Sequence, residues 1–216
     1  MTKLIAIDGP AASGKSSAAR EVAARLGWVY VNTGNMYRAA TWAVLQAGAD
    51  ITDEAAILRA FANVNFCNAV EQGRNNVSIN GQALDAELNS EAINAAVSHV
   101  ARVPAIREEL VAMQRALGKA HPCVMEGRDI GTVVFPDAMV KLYIDASEEV
   151  RAKRRGLQGL TDSVRQRDLL DSTRKTAPLA VAQDAVVIDS STLTLSEVVD
   201  QVMELLRDRG LSIPAA

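Results

Sequence analysis

Cysteine is scarce in this chain. Of 216 residues only Cys67 and Cys123 carry a thiol, far apart in sequence and without metal-ligand spacing. Two reduced thiols in a cytoplasmic protein are expected, rather than a disulfide framework or a thiolate metal site. Histidine is equally sparse: His99 and His121 have no partner at ligand or triad spacing, so surface or packing roles are expected of both. No apolar stretch approaches the length that spans a bilayer, and the apolar run near the N-terminus lacks a signal-peptide pattern. A formal net charge of −3 argues against a generalised surface for nucleic acid or anionic membrane. Any anionic ligand must then be held by local arginine clusters. Repeats of fixed period and low-complexity segments are missing as well. So are the Asn-Lys-x-Asp guanine-reading motif and the run of four apolar residues followed by Asp-Glu, which disfavours a regulatory GTPase and a motor ATPase. What remains is 49% apolar residues, enough for one sizeable core with room for a small inserted lobe.

The strongest positive signal lies near the N-terminus. Lys3 to Asp8 is a short apolar run of β character, and Gly9-Pro10-Ala11-Ala12-Ser13-Gly14-Lys15-Ser16 follows it at once. The pattern fits G-x-x-x-x-G-K-[ST], and a helix is predicted from Ser17 to Leu26. Strand, glycine-rich turn and helix are the context in which this pattern forms a phosphate-binding loop (P-loop). Gly9 and Gly14 allow backbone angles that a side chain forbids, so successive N–H groups can point at one phosphate at the positive end of a helix. Lys15 is expected to reach the β- and γ-phosphates, and Ser16 to ligate Mg²⁺. A nucleoside triphosphate, ATP in the reading below, is the expected ligand.

Along the rest of the chain, strands are predicted at Trp28–Val31, Cys123–Glu126, Val140–Asp145 and Ala185–Asp189. Helices are predicted at Met36–Ala47 (ended by Gly48), from an Asp53 cap through Phe61, at Ser90–Val103, at Ala105–Leu117 after Pro104, and at Ser147–Leu157. Thr194-Leu195-Ser196-Glu197 is a capping-box signature that opens a last helix with Val198, Val199, Val202, Leu205 and Leu206 on its apolar face. Between Val64 and Ile79 the texture turns β-rich, and Asn80-Gly81 signals a tight turn. Apolar strands alternating with helices define the fold class as α/β, a parallel sheet flanked by helices and carrying a β-rich insert. Ligands bind at the carboxyl ends of such strands, where Asp8-Gly9, Glu126-Gly127-Arg128-Asp129 and Asp145 fall.

Arg128 is thus placed to grip a phosphate by bidentate contacts. Thr33 to Arg38, with Tyr37, follow the second strand and read equally as a helix cap or a second phosphate site. Arg151, Lys153, Arg154 and Arg155 form one basic cluster, and Arg165, Arg167, Asp168, Asp171 and Arg174 a second. Arg167, Asp171 and Arg174 have the i, i+4, i+7 spacing of one helix face. Gly156, Gly159 and Thr161-Asp162-Ser163 lie between the clusters. Two arginine-bearing helices around a turn suit a lid that brings positive charge to phosphates and keeps water out.

These features together resemble the bacterial cytidylate kinases, members of the nucleoside-monophosphate kinases. The resemblance runs nearly end to end. It is carried by Ile7-Asp8-Gly9-Pro10 with the phosphate loop, Thr33-Gly34 through Tyr37-Arg38, Ala95-Ala96-Val97-Ser98 and Ile106-Arg107-Glu108. Gly127-Arg128-Asp129-Ile130-Gly131-Thr132-Val133-Val134-Phe135-Pro136-Asp137, and Arg167-Asp168 through Asp171 to Arg174, extend it. The resemblance implies one P-loop kinase domain: a core of 1–32, 104–150 and 175–216, a monophosphate-binding lobe over 33–103 and a short lid over 151–174. It implies ATP-dependent phosphorylation of CMP and dCMP with Mg²⁺, by a cytoplasmic enzyme, with a monomer as the working expectation and neither nucleic acid nor membrane as partner. By the same resemblance, Gly9 to Ser17 hold ATP. Arg38 and Arg128 hold the acceptor phosphate with Thr33 and Tyr37 close by, and Ser98, Arg107 and Asp129 read the cytosine edge. Arg167 and Asp171 approach the ribose and Arg174 the phosphates, with Lys15, Arg128 and Arg174 as the catalytic cations. Two departures stand out. Gly156 to Val164 is shorter than the lid of the bacterial enzymes. Leu88-Asn89 replaces an Ile-Arg pair common in the lobe, and Asn89 receives no role. The alternatives left open are a kinase for another monophosphate or small molecule, and a nucleotide-binding switch, which has no use for Arg38, Arg107 and Arg128.

Overall fold

A computed structural model describes residues 3–157 and 164–212. The chain opens with β1 (Leu4–Asp8), α1 (Lys15–Leu26), β2 (Val29–Asn32), α2 (Thr33–Gln46) and α3 (Glu54–Phe61). The insert follows as β3 (Phe66–Glu71), β4 (Arg74–Ile79), β5 (Gln82–Leu84) and a 3-10 turn at Ala86–Asn89. Then come α4 (Glu91–Val100), α5 (Pro104–Ala120), β6 (Cys123–Gly127), a π-type turn at Ile130–Val134 and β7 (Val140–Asp145). The chain closes with α6 (Glu148–Leu157), α7 (Val164–Ser172), β8 (Val186–Asp189) and α8 (Leu195–Asp208).

Five strands form a parallel array in the order β2-β6-β1-β7-β8. All five residues of β1 are buried, as a central parallel strand requires. Its alternation separates two cores. Ile5 and Ile7 pack with α1 and α8 on one face, through Val22, Val199 and Val202. Leu4 and Ala6 face the other side with Met125, Ile130, Val134 and Phe135. A third core belongs to α2, α4, α5 and the insert, built around Met36, Val77, Ile79 and Ile106. The insert is continuous with the main sheet, because β4 meets β2 in one parallel bridge, Tyr30 to Arg74.

Local signals act as the sequence suggests. Asn80 and Gly81 both take positive φ, 51° and 82°, in the turn between β4 and β5. Pro104 opens α5, and Asp53 and Ser90 cap α3 and α4 through their side chains. The Thr194 hydroxyl accepts from Glu197 N (3.3 Å) while the Glu197 carboxylate accepts from Thr194 N (2.7 Å). Thr194→Ala should therefore lower the unfolding free energy by about 1 kcal/mol, read from the denaturant midpoint. An unchanged midpoint would show that tertiary packing alone holds the start of α8.

Candidate active site

The phosphate loop joins β1 to α1. Gly9 has φ +155°, and a Cβ there would lie 2.1 Å from the Ile144 carbonyl oxygen, so no other residue fits. Gly14 takes a left-handed conformation (φ 88°) at the N-cap of α1. Lys15 begins that helix, which is two residues longer at its start than Ser17–Leu26. Its side chain is buried and Nζ donates to the Pro10 carbonyl at 3.0 Å. Burial, reinforced by Arg128, lowers the Lys15 ammonium to about 7. The loop is braced from the segment just after β8: Ser190 Oγ donates to Ser13 O at 2.8 Å, and Arg154 spans Ser13 O (3.3 Å) and Ser190 O (2.7 Å).

Opposite stands a wall rich in arginine and carboxylate. Arg128 Nε donates to Asp171 Oδ2 at 3.0 Å, and Asp171 also accepts from Ser98 Oγ (3.3 Å) and from Arg174. Burial alone would raise the Asp171 carboxyl, but Arg128 and Arg174 outweigh it and hold it below the ordinary range. Asp129 pairs with Arg107, both buried. Arg107 is fixed further by a bond to Ala101 O (3.2 Å) and by the Tyr37 ring 5.3 Å below its guanidinium. For Asp129 burial prevails over these arginines, and its carboxyl sits above the ordinary range.

Loop and wall share one cavity of about 900 Å³. Ala11 to Ser17 line it on one side. Thr33, Tyr37, Arg38, Ser98, Arg128, Asp129, Arg167, Asp171 and Arg174 line it on the other, so most of the residues singled out in the sequence meet here. Gly9, Pro10 and Arg107 are not among the cavity's lining residues. Thr33 is buried and donates its hydroxyl proton to Glu126 O at 2.8 Å, so only its lone pairs remain for another partner. Arg38 donates to Leu88 O (2.9 Å) across the insert, and Asn89, to which no role fell, lines the cavity.

The two arginine clusters are α6 and α7. They are only partly a solvated face: Lys153 and Arg165 are exposed, but Arg151 and Arg155 are buried. Arg151 bonds Asp168 (2.5 Å) and Ala11 O (3.3 Å), while Arg155 bonds Asn94 Oδ1 (2.9 Å) on α4. Arg154 therefore joins the phosphate loop to the loop after β8, and Arg155 joins α6 to the insert side. Arg174 does not share a helix face with Arg167 and Asp171, because α7 ends at Ser172. Thr173 closes the helix by bonding Leu169 O through its N (3.0 Å) and Oγ1 (2.6 Å), and Arg174 reaches Asp171 from the following segment. Gly159 and Thr161-Asp162-Ser163 lie outside the described residues. Sequence reasoning assigned no role to Glu126, a buried carboxylate in the cavity wall that accepts from Tyr30 OH at 3.1 Å. Its signal was an acid ending an apolar strand. Ser190 gave none.

A triphosphate loop facing an arginine-lined wall across one cavity defines a P-loop phosphotransferase with a second anionic substrate. The family model described as Cytidylate kinase matches residues 5–208, and the chain belongs to that family. The cytidylate kinase of Geobacillus thermodenitrificans (strain NG80-2) is 45% identical, over 95% of this chain and 96% of its own. That of Mycobacterium avium (strain 104) is 44% identical over 96% of both chains, and that of Nocardia farcinica (strain IFM 10152) 43% over 94% and 93%.

Proposed function

We propose that this protein transfers the γ-phosphoryl group of ATP to CMP and dCMP, giving ADP and CDP or dCDP. One observation carries the reading: the phosphate loop and Arg128-Asp129 leave the adjacent parallel strands β1 and β6 and open into the same cavity. The acceptor's own phosphate oxygen attacks the γ-phosphorus. A new O–P bond forms, the bond to the β-phosphate oxygen breaks, and no protein nucleophile is needed. Catalysis is then positioning and charge stabilisation.

In this reading Gly9 to Ser17 cradle ATP and Lys15 meets its terminal phosphates. Arg38 and Arg128 hold the acceptor phosphate beside Thr33 and Tyr37, Arg167 and Asp171 take the ribose, and Arg174 stabilises the transferring charge. Ser98 and Asp129 face cytosine, with Arg107 orienting Asp129. Among the described residues no cluster of three or more His, Cys, Asp or Glu could hold a metal. A lone hydroxyl, Ser16, with the Glu126 carboxylate in the same cavity suits Mg²⁺, which keeps waters and takes its other ligands from phosphates. When bound, Mg²⁺ neutralises charge on the β- and γ-oxygens. The lobe 33–103 would carry the acceptor, and α6 and α7 would close over the donor. Among the described residues no helix is long and apolar enough to cross a membrane. We assign the enzyme to the cytoplasm, as a monomer.

The test is ADP release from ATP and Mg²⁺ with CMP, dCMP, UMP or AMP offered separately, beside a control without acceptor. Turnover confined largely to CMP and dCMP is expected. Preference for another monophosphate would keep the kinase and overturn the pocket assignment. ADP release independent of acceptor would overturn the kinase reading.

A further inference from the structure

The last residue of β1 has a role that the phosphate loop alone does not require. Asp8 is 4% exposed. Its carboxylate points away from the loop toward the segment after β6, where Oδ1 accepts from Ile130 N (2.8 Å) and Oδ2 from Gly131 N (2.7 Å). Those are the first two N–H groups of the Ile130–Val134 turn, which have no partner within the turn. The same turn is entered directly from Arg128 and Asp129, and Asp129 lies outside both helix and sheet (φ −146°, ψ 23°). The backbone of Asp129 is irregular, and its carbonyl accepts from Val133 N (2.9 Å) and Val134 N (3.1 Å) inside the turn whose free end Asp8 holds. Asp8 runs straight into Gly9, which is itself held against Ile144.

We infer that Asp8 is a positioning residue for phosphoryl transfer: its carboxylate ties the donor phosphate loop to the Arg128-Asp129 acceptor segment and sets the distance between the two substrates. The inference rests on the kinase reading above. Gly131 fits the same picture, because a Cβ there would lie 3.1 Å from Lys141 Cδ and 3.4 Å from Asp8 Oδ2. The turn is thereby kept close to the carboxylate. In-line transfer is sensitive to displacements of this kind, which costs rate more than affinity.

Ionised Asp8 accepts two N–H donors. Protonated, it turns one oxygen into a donor facing an N–H, and half of the tie is lost. Burial raises this carboxyl to about 7, against the bonds from Gly131 and Ile130. The charged and titratable groups around it are Asp129, which raises it, Arg128, which lowers it, Tyr143 beside it on β7, and Lys141, whose stem packs under Gly131. The ionised form is the competent one, so kcat/KM should fall as pH drops through about 7.

The experiment pairs kinetics of Asp8→Asn with an NMR titration of the wild-type enzyme. Asn keeps the volume but places an NH₂ against one of the two N–H groups. We expect kcat with CMP to fall on the order of 10- to 100-fold. KM for ATP and for CMP should each move less than about threefold, and the limb of kcat/KM near 7 should be lost while the contribution of Asp129 remains. In the wild type, the amide resonances of Ile130 and Gly131 should titrate together. A variant with wild-type kcat and an intact acid limb would overturn the inference, and so would amides that do not titrate. The titration needs neither substrate nor variant. It decides the matter if Asp8→Asn fails to fold, and it separates failure of the tie from failure of the CMP kinase reading, which the wild-type assay reports.

Discussion

Lys15→Ala is expected to abolish turnover with CMP, a loss on the order of 10³-fold or more, while leaving the folded protein as stable as the wild type or more so. The first half follows from position. Lys15 begins α1 at the lining of the shared cavity, with its buried ammonium bonded to the Pro10 carbonyl. A preorganised cation there meets the charge that spreads over the moving phosphoryl group, and alanine offers nothing in its place. The second half follows from the same burial. Burial, then Arg128, lowers the ammonium from an ordinary 10.5 to about 7. Between those values the unfolded chain binds the extra proton and the folded chain does not, so the lysine's contribution to stability rises with pH across that window. Below about 7 the folded protein carries the full cost of a buried charge. Removing the charge should therefore raise the melting temperature most at or below neutral pH, and the gain should vanish toward pH 10.5. The loop does not depend on Lys15 for its shape, since Ser190, Arg151 and Arg154 hold it from outside. Steady-state kinetics and melting curves at several pH values check both halves. A variant that is inactive and also strongly destabilised would mean that Lys15 holds the loop rather than the phosphate.

How much of this was legible in the sequence depends on how local the cause was. The phosphate loop, the Thr194 capping box and the Asn80-Gly81 turn are each written in a few adjacent residues, and each forms where the pattern places it. The central strands are apolar on both faces and are equally legible. The extent of α7 was not: a helical spacing of charges carried the expectation to Arg174, but Thr173 ends the helix by bonding back to Leu169, and a neighbouring ion pair brings Arg174 to Asp171 regardless. Ile130-Gly131-Thr132-Val133-Val134 has β-branched composition yet forms a turn, closed by its own bonds to Asp129 O and Ile130 O and bound at its first two N–H groups by Asp8, more than a hundred residues earlier. The arginine clusters were legible as charge but not as burial. That Arg151 and Arg155 turn inward to Asp168 and Asn94 is decided by elements distant in sequence. Site residues were read one by one; the ion pairs that prearrange them belong to the tertiary fold.

Asp129→Asn should convert a cytosine-reading enzyme into one that tolerates or prefers uracil. Cytosine presents an amino donor at the position where uracil presents a carbonyl, so an ionised carboxylate favours the first and opposes the second. Each mismatched partner in a buried site costs about 1–3 kcal/mol, which corresponds to roughly 5- to 150-fold in discrimination. Asn is the informative substitution because of Arg107. The Asp129–Arg107 pair is buried, with side-chain exposures of 6% and 5%. Alanine would strand the buried guanidinium without its counter-charge, at a cost of about 3–5 kcal/mol in stability, and confuse folding with recognition. Asn can keep its oxygen toward Arg107 and turn its NH₂ toward the uracil carbonyl. The wild type contains a milder form of the same switch. Burial outweighs Arg107 and Arg174 and raises the Asp129 carboxyl. A protonated carboxyl is a donor, so the preference of the wild type for CMP over UMP should weaken as pH falls. The measurement is kcat/KM for CMP and UMP across pH, in both enzymes. A ratio unchanged by Asp129→Asn would remove Asp129 from the base-reading site and leave it only its structural pairing with Arg107.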